Sequence, residues 1–208
     1  MRWWHRRSLD LVPTVQNLNG IEPHAIDRSA RLSYVTAMTV LPIITIPDPV
    51  LRKISDPVER VDDAVVKLMD DMLETMYAAP GVGLAAVQVG ILKRVVVIDA
   101  AEDGEPPRPI AMANPELIGV GSTTRVHEEG CLSIPDVRVE IERPSTVTVR
   151  YVDRNGKEQE LEADGLLATA IQHEIDHLDG QLIIDFLSRL KRDIIIRKFK
   201  KQVRTGGD

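Results

Sequence analysis

The chain has 208 residues, a formal net charge of −6 at pH 7, and 43% hydrophobic and 28% charged residues. The length suits one domain with its own hydrophobic core, and the composition is ordinary for a globular protein. The negative charge argues against a protein that coats nucleic acid over its whole surface, so we expect no DNA partner. No apolar run in the sequence is long enough to cross a bilayer, so we expect no membrane span.

Residues 1–37 differ from the rest of the chain. They hold both tryptophans and an early arginine cluster, and their hydrophobic residues follow no sustained period. The segment lacks the apolar region of a secretory signal, and its acidic residues argue against a transit peptide. We predict that residues 1–37 are an extension outside the core, either disordered or upstream of a working start at Met38. Residues 38–208 are then a single domain, and targeting to an organelle is the alternative role for the extension.

The single cysteine, Cys131, excludes an intrachain disulfide. A fold that does not depend on oxidation fits a reducing compartment. We therefore expect the protein in the cytoplasm, and we expect it to be a monomer.

The first predicted helix runs from Val61 to Ala79, because its apolar residues recur at helical spacing between an acidic start and Gly81. A stretch rich in glycine and alanine follows, GVGLAAVQVG, and then a β-branched run typical of a buried strand, RVVVIDA. The loop GEPPRP leads to another short strand, PELIGVG. Strict alternation predicts strands over Val137–Glu142 and Ser145–Val152, and the latter enters a hairpin that turns at Asn155-Gly156.

The second predicted helix is DGLLATAIQHEIDHLDG, with Asp164 as its cap and Gly180 as its stop. The third, LSRLKRDIIIRKFKKQV, is amphipathic and basic. Several short strands in hairpins, together with few and segregated helices, indicate an α+β fold with antiparallel sheet.

The second helix carries His173 and His177 four residues apart, with Glu174 directly after the first. On a helix this spacing puts both imidazoles on one face, where they can share one metal ion. Two ordinary helical histidines are the alternative. A catalytic site of this kind usually takes a third protein ligand, yet the usual peptidase completions fail. Ile183 stands where a third histidine is common, and the chain has no glutamate after Glu174.

A candidate third ligand lies upstream, in the segment HEEGCLSIP, where Cys131 follows Gly130. A lone cysteine is often only a small buried hydrophobe, but an incomplete two-histidine site makes it the better ligand candidate. A thiolate with two neutral imidazoles leaves the ion a net positive charge and an open position. This arrangement suits a water whose pKa falls toward ~7.

Three segments, GVGLAAVQ, EEGCLSIP and QHEIDHLDG, resemble in order and interval the three signature motifs of the peptide deformylase family. The likeness extends from about Leu41 to the basic C-terminal helix and does not cover the first forty or so residues. It is similar to the form typical of Gram-negative bacteria and organelles. The family removes the formyl group from the N-terminal methionine of newly made proteins. We therefore expect antiparallel sheets wrapped around a central HExxH helix, followed by a C-terminal amphipathic helix.

The resemblance implies roles for the three motifs. It assigns one divalent ion to Cys131, His173 and His177, usually Fe²⁺ with Zn²⁺, Ni²⁺ or Co²⁺ able to replace it, although the residues alone allow zinc as readily. Glu174 is then the general base toward water and the general acid toward the departing amine. The side-chain amide of Gln88 and the backbone N–H of Leu132 would stabilise the oxyanion.

The resemblance also implies a substrate site for N-formylmethionyl peptides. The edge around Val82 and Gly83 would hold the extended peptide by strand addition. The methionine pocket would be lined by Glu129, Arg138, Leu166, Thr169 and Ala170. His127 and Thr169 are more polar than expected for such a pocket, and the family pairs Asp176 with Arg143.

The third helix is strongly basic, with one acid, Asp193, among eight basic residues: Arg189, Lys191, Arg192, Arg197, Lys198, Lys200, Lys201 and Arg204. A solvated charged face is one interpretation, and docking on ribosomal RNA is the one that the resemblance implies. For the whole chain, an HExxH metalloendopeptidase and a binding protein without activity are the alternatives to a deformylase. The second of these should have lost a ligand, Glu174 or Gln88, and all are intact.

Overall fold

The structure, a computed structural model, describes residues 39–102 and 104–205; the predicted extension and Met38 lie outside them. Within these residues the chain forms three α-helices, which are α1 (Asp63–Ala78), α2 (Gly165–Leu178) and α3 (Arg189–Arg204). It also forms 3₁₀ helices at Pro49–Arg52, Ala86–Val89 and Ile183–Phe186.

The strands of the described residues form two antiparallel sheets. They are β1 (Gly83–Ala85), β2 (Val95–Ile98), β3 (Ile110–Val120), β4 (Thr124–Cys131), β5 (Ile134–Pro144), β6 (Thr146–Val152) and β7 (Glu158–Asp164). The larger sheet has the order β1-β2-β3-β6-β7, and β4 pairs with β5. Every pair is antiparallel. This architecture confirms the predicted α+β class.

Strand β2 is buried on both faces, because α1 covers one face of the sheet and α2 the other. Val95 and Val97 belong to a cluster with the methionines of α1, whereas Val96 and Ile98 pack with α2. Successive side chains of a strand point to opposite faces, so a continuous β-branched run is the sequence that two covering layers require. Each such side chain contributes about 1.5–3 kcal/mol through burial.

Helix α1 starts later than predicted, whereas α2 begins and ends at the predicted cap and stop. Helix α1 begins at Asp63, because the carboxylate of Asp62 accepts the backbone N–H of Val65 at 3.0 Å. Asp164 is the N-cap residue of α2 but makes no side-chain capping bond. Gly180 follows the end of α2 with φ of 75°, in the left-handed region that glycine adopts freely.

Strands β3 and β5 are longer than predicted, and β4 was not predicted as a complete strand. The segment TRVHEEGC is exposed over most of its length and buried only at its last three residues, so it carries no alternating apolar pattern. The β6–β7 hairpin turns at Asn155-Gly156 as predicted, with φ of 75° at the glycine.

A third hydrophobic cluster joins the β4–β5 sheet to the C-terminal part of the chain. Cys131, Ile134 and Ile141 pack there with Ile184 and with Phe199 of α3. Phe199 is the buried residue of α3, and Leu190 and Ile194 stay exposed. Among the described residues, no helix combines the length and the apolar character that a membrane span needs.

Candidate metal centre

Two elements bring three candidate ligands together. Helix α2 supplies His173 and His177, and Cys131 is the last residue of β4. Their ligand atoms all lie within 4.8 Å of one another, and all three residues are buried. The Sγ of Cys131 is 3.2 Å from Nε2 of His177, and the two imidazole rings meet edge to face at 5.0 Å. The structure thus joins the three residues that the sequence singled out.

The cysteine is held at this place by the turn between β4 and β5. Cys131 pairs directly with Ile134, after a register shift at Gly130. The turn between them is tied to the N-terminal part of the domain, since the N–H of Ile46 donates to the carbonyl of Ser133 at 3.0 Å. A tight, anchored turn therefore presents the sulfur toward the helix.

A buried carboxylate orients the first histidine. Nδ1 of His173 lies 2.8 Å from Oε2 of Glu129, and Glu129 also accepts hydrogen bonds from Arg143. Burial alone raises the pKa of Glu129, but the hydrogen bonds from His173 and Arg143 outweigh it and hold the pKa below its ordinary value. An ionised Glu129 keeps the proton of His173 on Nδ1, so Nε2 is the nitrogen available to an ion.

The two histidines differ electrostatically. Burial opposes the charged form of His173, yet hydrogen bonds with Cys131 and Glu129 raise its pKa well above the ordinary value. Burial and the charge of His173 lower the pKa of His177 well below it. A metal ion binds deprotonated ligands, so ion binding displaces a proton from this cluster.

Arg143 connects this cluster to the surface. Its Nη1 lies 2.9 Å from Oδ2 of Asp176, and the two side chains are 8% and 24% exposed. The guanidinium also lies 5.1 Å from the centre of the Phe186 ring. The expected Asp176–Arg143 pair is thus present and largely buried, in contrast to a surface ion pair.

The carboxyl group of Glu174 is enclosed next to β1. The residue is 1% exposed, and its Oε2 has no hydrogen-bond partner among the described residues. A Cβ at Gly83 would lie 2.3 Å from Oε1, so the glycine makes room for the carboxylate. Burial of the carboxyl group away from solvent raises the pKa of Glu174 to about 7. A group of this kind suits proton transfer at neutral pH.

Gln88 lies beside the candidate ligands, in the 3₁₀ helix Ala86–Val89. Its Nε2 is 3.7 Å from Sγ of Cys131 and 3.1 Å from Oγ of Ser133. Leu132 directly follows Cys131 in the β4–β5 turn. Sequence reasoning missed Ser133, since a hydroxyl two residues after a cysteine carries no signal of its own.

The candidate substrate residues fall into two groups. Val82 directly precedes β1 and Gly83 is its first residue; β1 is an edge strand of the larger sheet. Glu129 is fully buried and its carboxylate contacts His173 and Arg143, a contact that sequence reasoning missed. Arg138 is exposed on β5, and Leu166 lies in the first turn of α2, about 10 Å along the helix from His173.

Comparison with known proteins identifies the family. Residues 40–193 match the model of the polypeptide deformylase family. A peptide deformylase of Rhizobium meliloti is 56% identical over 170 residues, which cover 82% of this chain and 98% of that protein. One from Agrobacterium fabrum is 58% identical over 167 residues, covering 80% and 98%.

Solved structures of peptide deformylases are similar to this chain in both fold and sequence. The crystal structure of peptide deformylase from Ehrlichia chaffeensis has a TM-score of 0.77 and 43% identity, over 81% of this chain and 99% of that one. A structure from the same organism in complex with actinonin has a TM-score of 0.75 and 44% identity, over 79% and 98%. The chain therefore belongs to the polypeptide deformylase family.

Proposed function

We propose that this protein is a metal-dependent hydrolase that removes the formyl group from the N-terminal N-formylmethionine of newly synthesised proteins. The observation that carries the proposal is the convergence of Cys131, His173 and His177 beside the buried carboxyl group of Glu174. Family membership supports the same reaction. The comparisons give no support to the alternative of an HExxH metalloendopeptidase.

The three ligands fit one divalent ion by their chemistry. A thiolate and two imidazoles suit zinc, iron, nickel or cobalt, and the donor atoms lie close enough together to share one ion. When bound, the ion supplies Lewis acidity and lowers the pKa of a water molecule toward ~7. We infer that Fe²⁺ is the physiological ion, with Zn²⁺, Ni²⁺ or Co²⁺ able to replace it.

The identity of the ion has its own test. An iron–thiolate site is readily oxidised, so protein purified without oxygen should lose activity in air faster than the same protein loaded with zinc. Equal stability of the two samples in air would argue that the native ion is not iron.

Glu174 is proposed to move the proton of the reaction. It takes a proton from the water that attacks the formyl carbon and later gives it to the departing amine. Its pKa of about 7 in the chain without an ion supports both roles. A bound cation favours the ionised carboxylate and so prepares it to act first as the base.

Attack on the formyl carbon places a negative charge on the carbonyl oxygen, which needs donors directed at it. We assign these donors to the amide of Gln88 and the backbone N–H of Leu132. The position of the Gln88 amide beside Cys131 supports this assignment. Removal of one such donor typically lowers kcat by about 10²–10³-fold.

The peptide is proposed to bind in an extended conformation along the edge near Val82 and Gly83. Strand addition reads the backbone rather than the side chains, which suits an enzyme with many substrates. The methionine pocket is assigned to Arg138, Leu166 and Glu129. The ion pair of Glu129 with Arg143 also supports a role in holding His173.

Helix α3 is proposed to dock on ribosomal RNA. Its basic side chains are largely exposed, and the buried Phe199, with the partly buried Ile195 and Ile196, packs the helix against the domain. Co-sedimentation with ribosomes at increasing salt tests this idea, with a chain that ends at Leu190 as the comparison. Binding that does not depend on salt, or no binding by the intact chain, would remove it.

The remaining proposals concern the oligomeric state, the cellular location and the domain organisation of the protein. We propose a monomeric cytoplasmic protein with one domain over residues 38–208 and an extension over residues 1–37. We also propose that both sheets are arranged around the HExxH helix. The packing of α2 on the larger sheet and the bond from Gln172 to the carbonyl of Pro144 in β5, at 3.1 Å, support this arrangement.

A pair of matched peptides tests the reaction. Formate should be released from a short formyl-Met peptide, and the same peptide without the formyl group should stay unchanged. Cleavage of an internal peptide bond without release of formate would favour the endopeptidase instead.

A further inference from the structure

We infer that Ser133 is a positioning residue for the side-chain amide of Gln88. This inference rests on the proposed deformylase reaction and extends it, because it names the group that directs one of the two oxyanion donors. Both side chains are buried, with 1% of Gln88 and 0% of Ser133 exposed. Water therefore does not replace a lost contact between them without rearrangement of the site.

The neighbours of Gln88 determine which way its amide faces. Its Oε1 lies 2.8 Å from the backbone nitrogen of Ala85, and a backbone N–H acts only as a donor. The amide oxygen therefore faces Ala85, and Nε2 faces the opposite side. On that side Nε2 meets Oγ of Ser133 at 3.1 Å and Sγ of Cys131 at 3.7 Å.

The two N–H groups on Nε2 of Gln88 face different partners. A primary amide nitrogen carries two N–H groups, and Ser133 accepts one of them. The second then points toward Cys131, which is the side on which the candidate ligands lie. Ser133 thus leaves one N–H directed at the reacting centre and prevents the amide from turning away from it.

The backbone holds both partners in one frame. The N–H of Ile44 donates to the carbonyl of Gln88 at 2.8 Å, and the N–H of Ile46 donates to the carbonyl of Ser133 at 3.0 Å. One short segment therefore ties the 3₁₀ helix of Gln88 to the β4–β5 turn. Because the backbones of Gln88 and Ser133 are both bonded to this segment, the hydroxyl of Ser133 is held in a fixed position relative to the amide of Gln88.

Loss of this hydroxyl leaves a buried N–H without its acceptor, and such a group rotates to recover a partner. A misplaced catalytic group costs up to about a hundredfold in rate for a shift of about 1 Å. We expect Ser133→Ala to lower kcat about ten- to a hundredfold and to change KM by less than about twofold. Metal content should stay at the wild-type value.

A double-mutant cycle separates positioning from a general structural effect. If Ser133 acts through Gln88, the substitution Ser133→Ala should lower kcat by less than about twofold in a Gln88→Ala background. An equal loss in both backgrounds would overturn the inference, as would an unchanged kcat in the single variant. If the wild-type chain released no formate, the proposed function and this inference would fall together.

Two further variants complete the test. Ser133→Thr keeps the hydroxyl and should retain kcat within about threefold of the wild type; a folded, metal-loaded threonine variant as slow as Ser133→Ala would contradict the inference. Ser55→Ala is the matched control, since Ser55 is 2% exposed and its Oγ has no partner among the described residues. It should leave kcat unchanged.

Discussion

Gly83 is the position at which one added methyl group would most directly displace the proposed base. A Cβ at Gly83 lies 2.3 Å from Oε1, 2.9 Å from Cδ and 3.0 Å from Cγ of Glu174. Ordinary contact begins at 3.4 Å, so the carboxylate has to move by about 1 Å, and a shift of this size costs about a hundredfold in rate. We expect Gly83→Ala to lower kcat by about that factor.

The fold should accept this substitution. Gly83 is a strand residue and is not among the glycines with positive φ, so alanine fits the backbone there and is favoured over glycine by about 0.5–1 kcal/mol. Glu174 is not a proposed ligand, and the metal content should therefore stay unchanged. The loss should appear in kcat at full metal occupancy.

Formate release from a formyl-Met peptide measures the effect, with elemental analysis and thermal unfolding on the same samples. Gly119→Ala is the matched control in the same sheet, because among the described residues beyond its chain neighbours the added Cβ meets Thr148 alone, at 3.1 Å and 3.3 Å. In a Glu174→Ala background Gly83→Ala should have no further effect on kcat. A folded, metal-loaded Gly83→Ala variant with kcat within about threefold of the wild type would refute the reasoning.

The remaining predictions concern the ligands, their support and one ion pair. Glu174→Ala should keep the metal and lose most activity, whereas Cys131→Ala should lose metal affinity; full metal content and turnover in Cys131→Ala would contradict the third ligand. Glu129→Gln weakens the contact that orients His173 and should lower metal affinity about ten- to a hundredfold in a chelator competition; unchanged affinity would count against that role. Burial raises the pKa of Asp185, but the hydrogen bonds from Arg52 and the backbone of Leu182, together with the charges of Arg52 and Arg192, lower the pKa below the ordinary 3.8. Because the pKa of Asp185 is lower in the folded state, the ionised carboxylate stabilises that state at pH values above the ordinary pKa of 3.8. The stability lost in Asp185→Asn should therefore shrink as the pH falls below 3.8. A loss that is the same at every pH, in urea unfolding, would speak against this pair.

The parts of the molecule that were predictable from sequence are those fixed by local periodicity. The spacing of His173 and His177 needs only the helical period, and the buried strand β2 needs only a run of β-branched residues. Cys131 followed from chemistry, because two histidines without a further peptidase ligand left it as the candidate.

The parts that sequence did not predict depend on contacts between distant segments. The hydrogen bond from His173 to Glu129 spans 44 positions and the one from Gln88 to Ser133 spans 45. Strand β4 was missed for a related reason, since its polar residues are explained by pairing with β5 rather than by any pattern of its own. Local patterns contain no information on which distant partner a buried polar group will find.

The central claim is that Cys131, His173 and His177 hold one divalent ion on which formate release depends. Its most direct test is the metal-to-protein ratio and the rate of formate release, measured together on protein purified without oxygen, before and after chelation. We expect one ion per chain, loss of turnover on its removal and recovery on readdition of Fe²⁺. Undiminished release of formate by the metal-free protein would contradict the account.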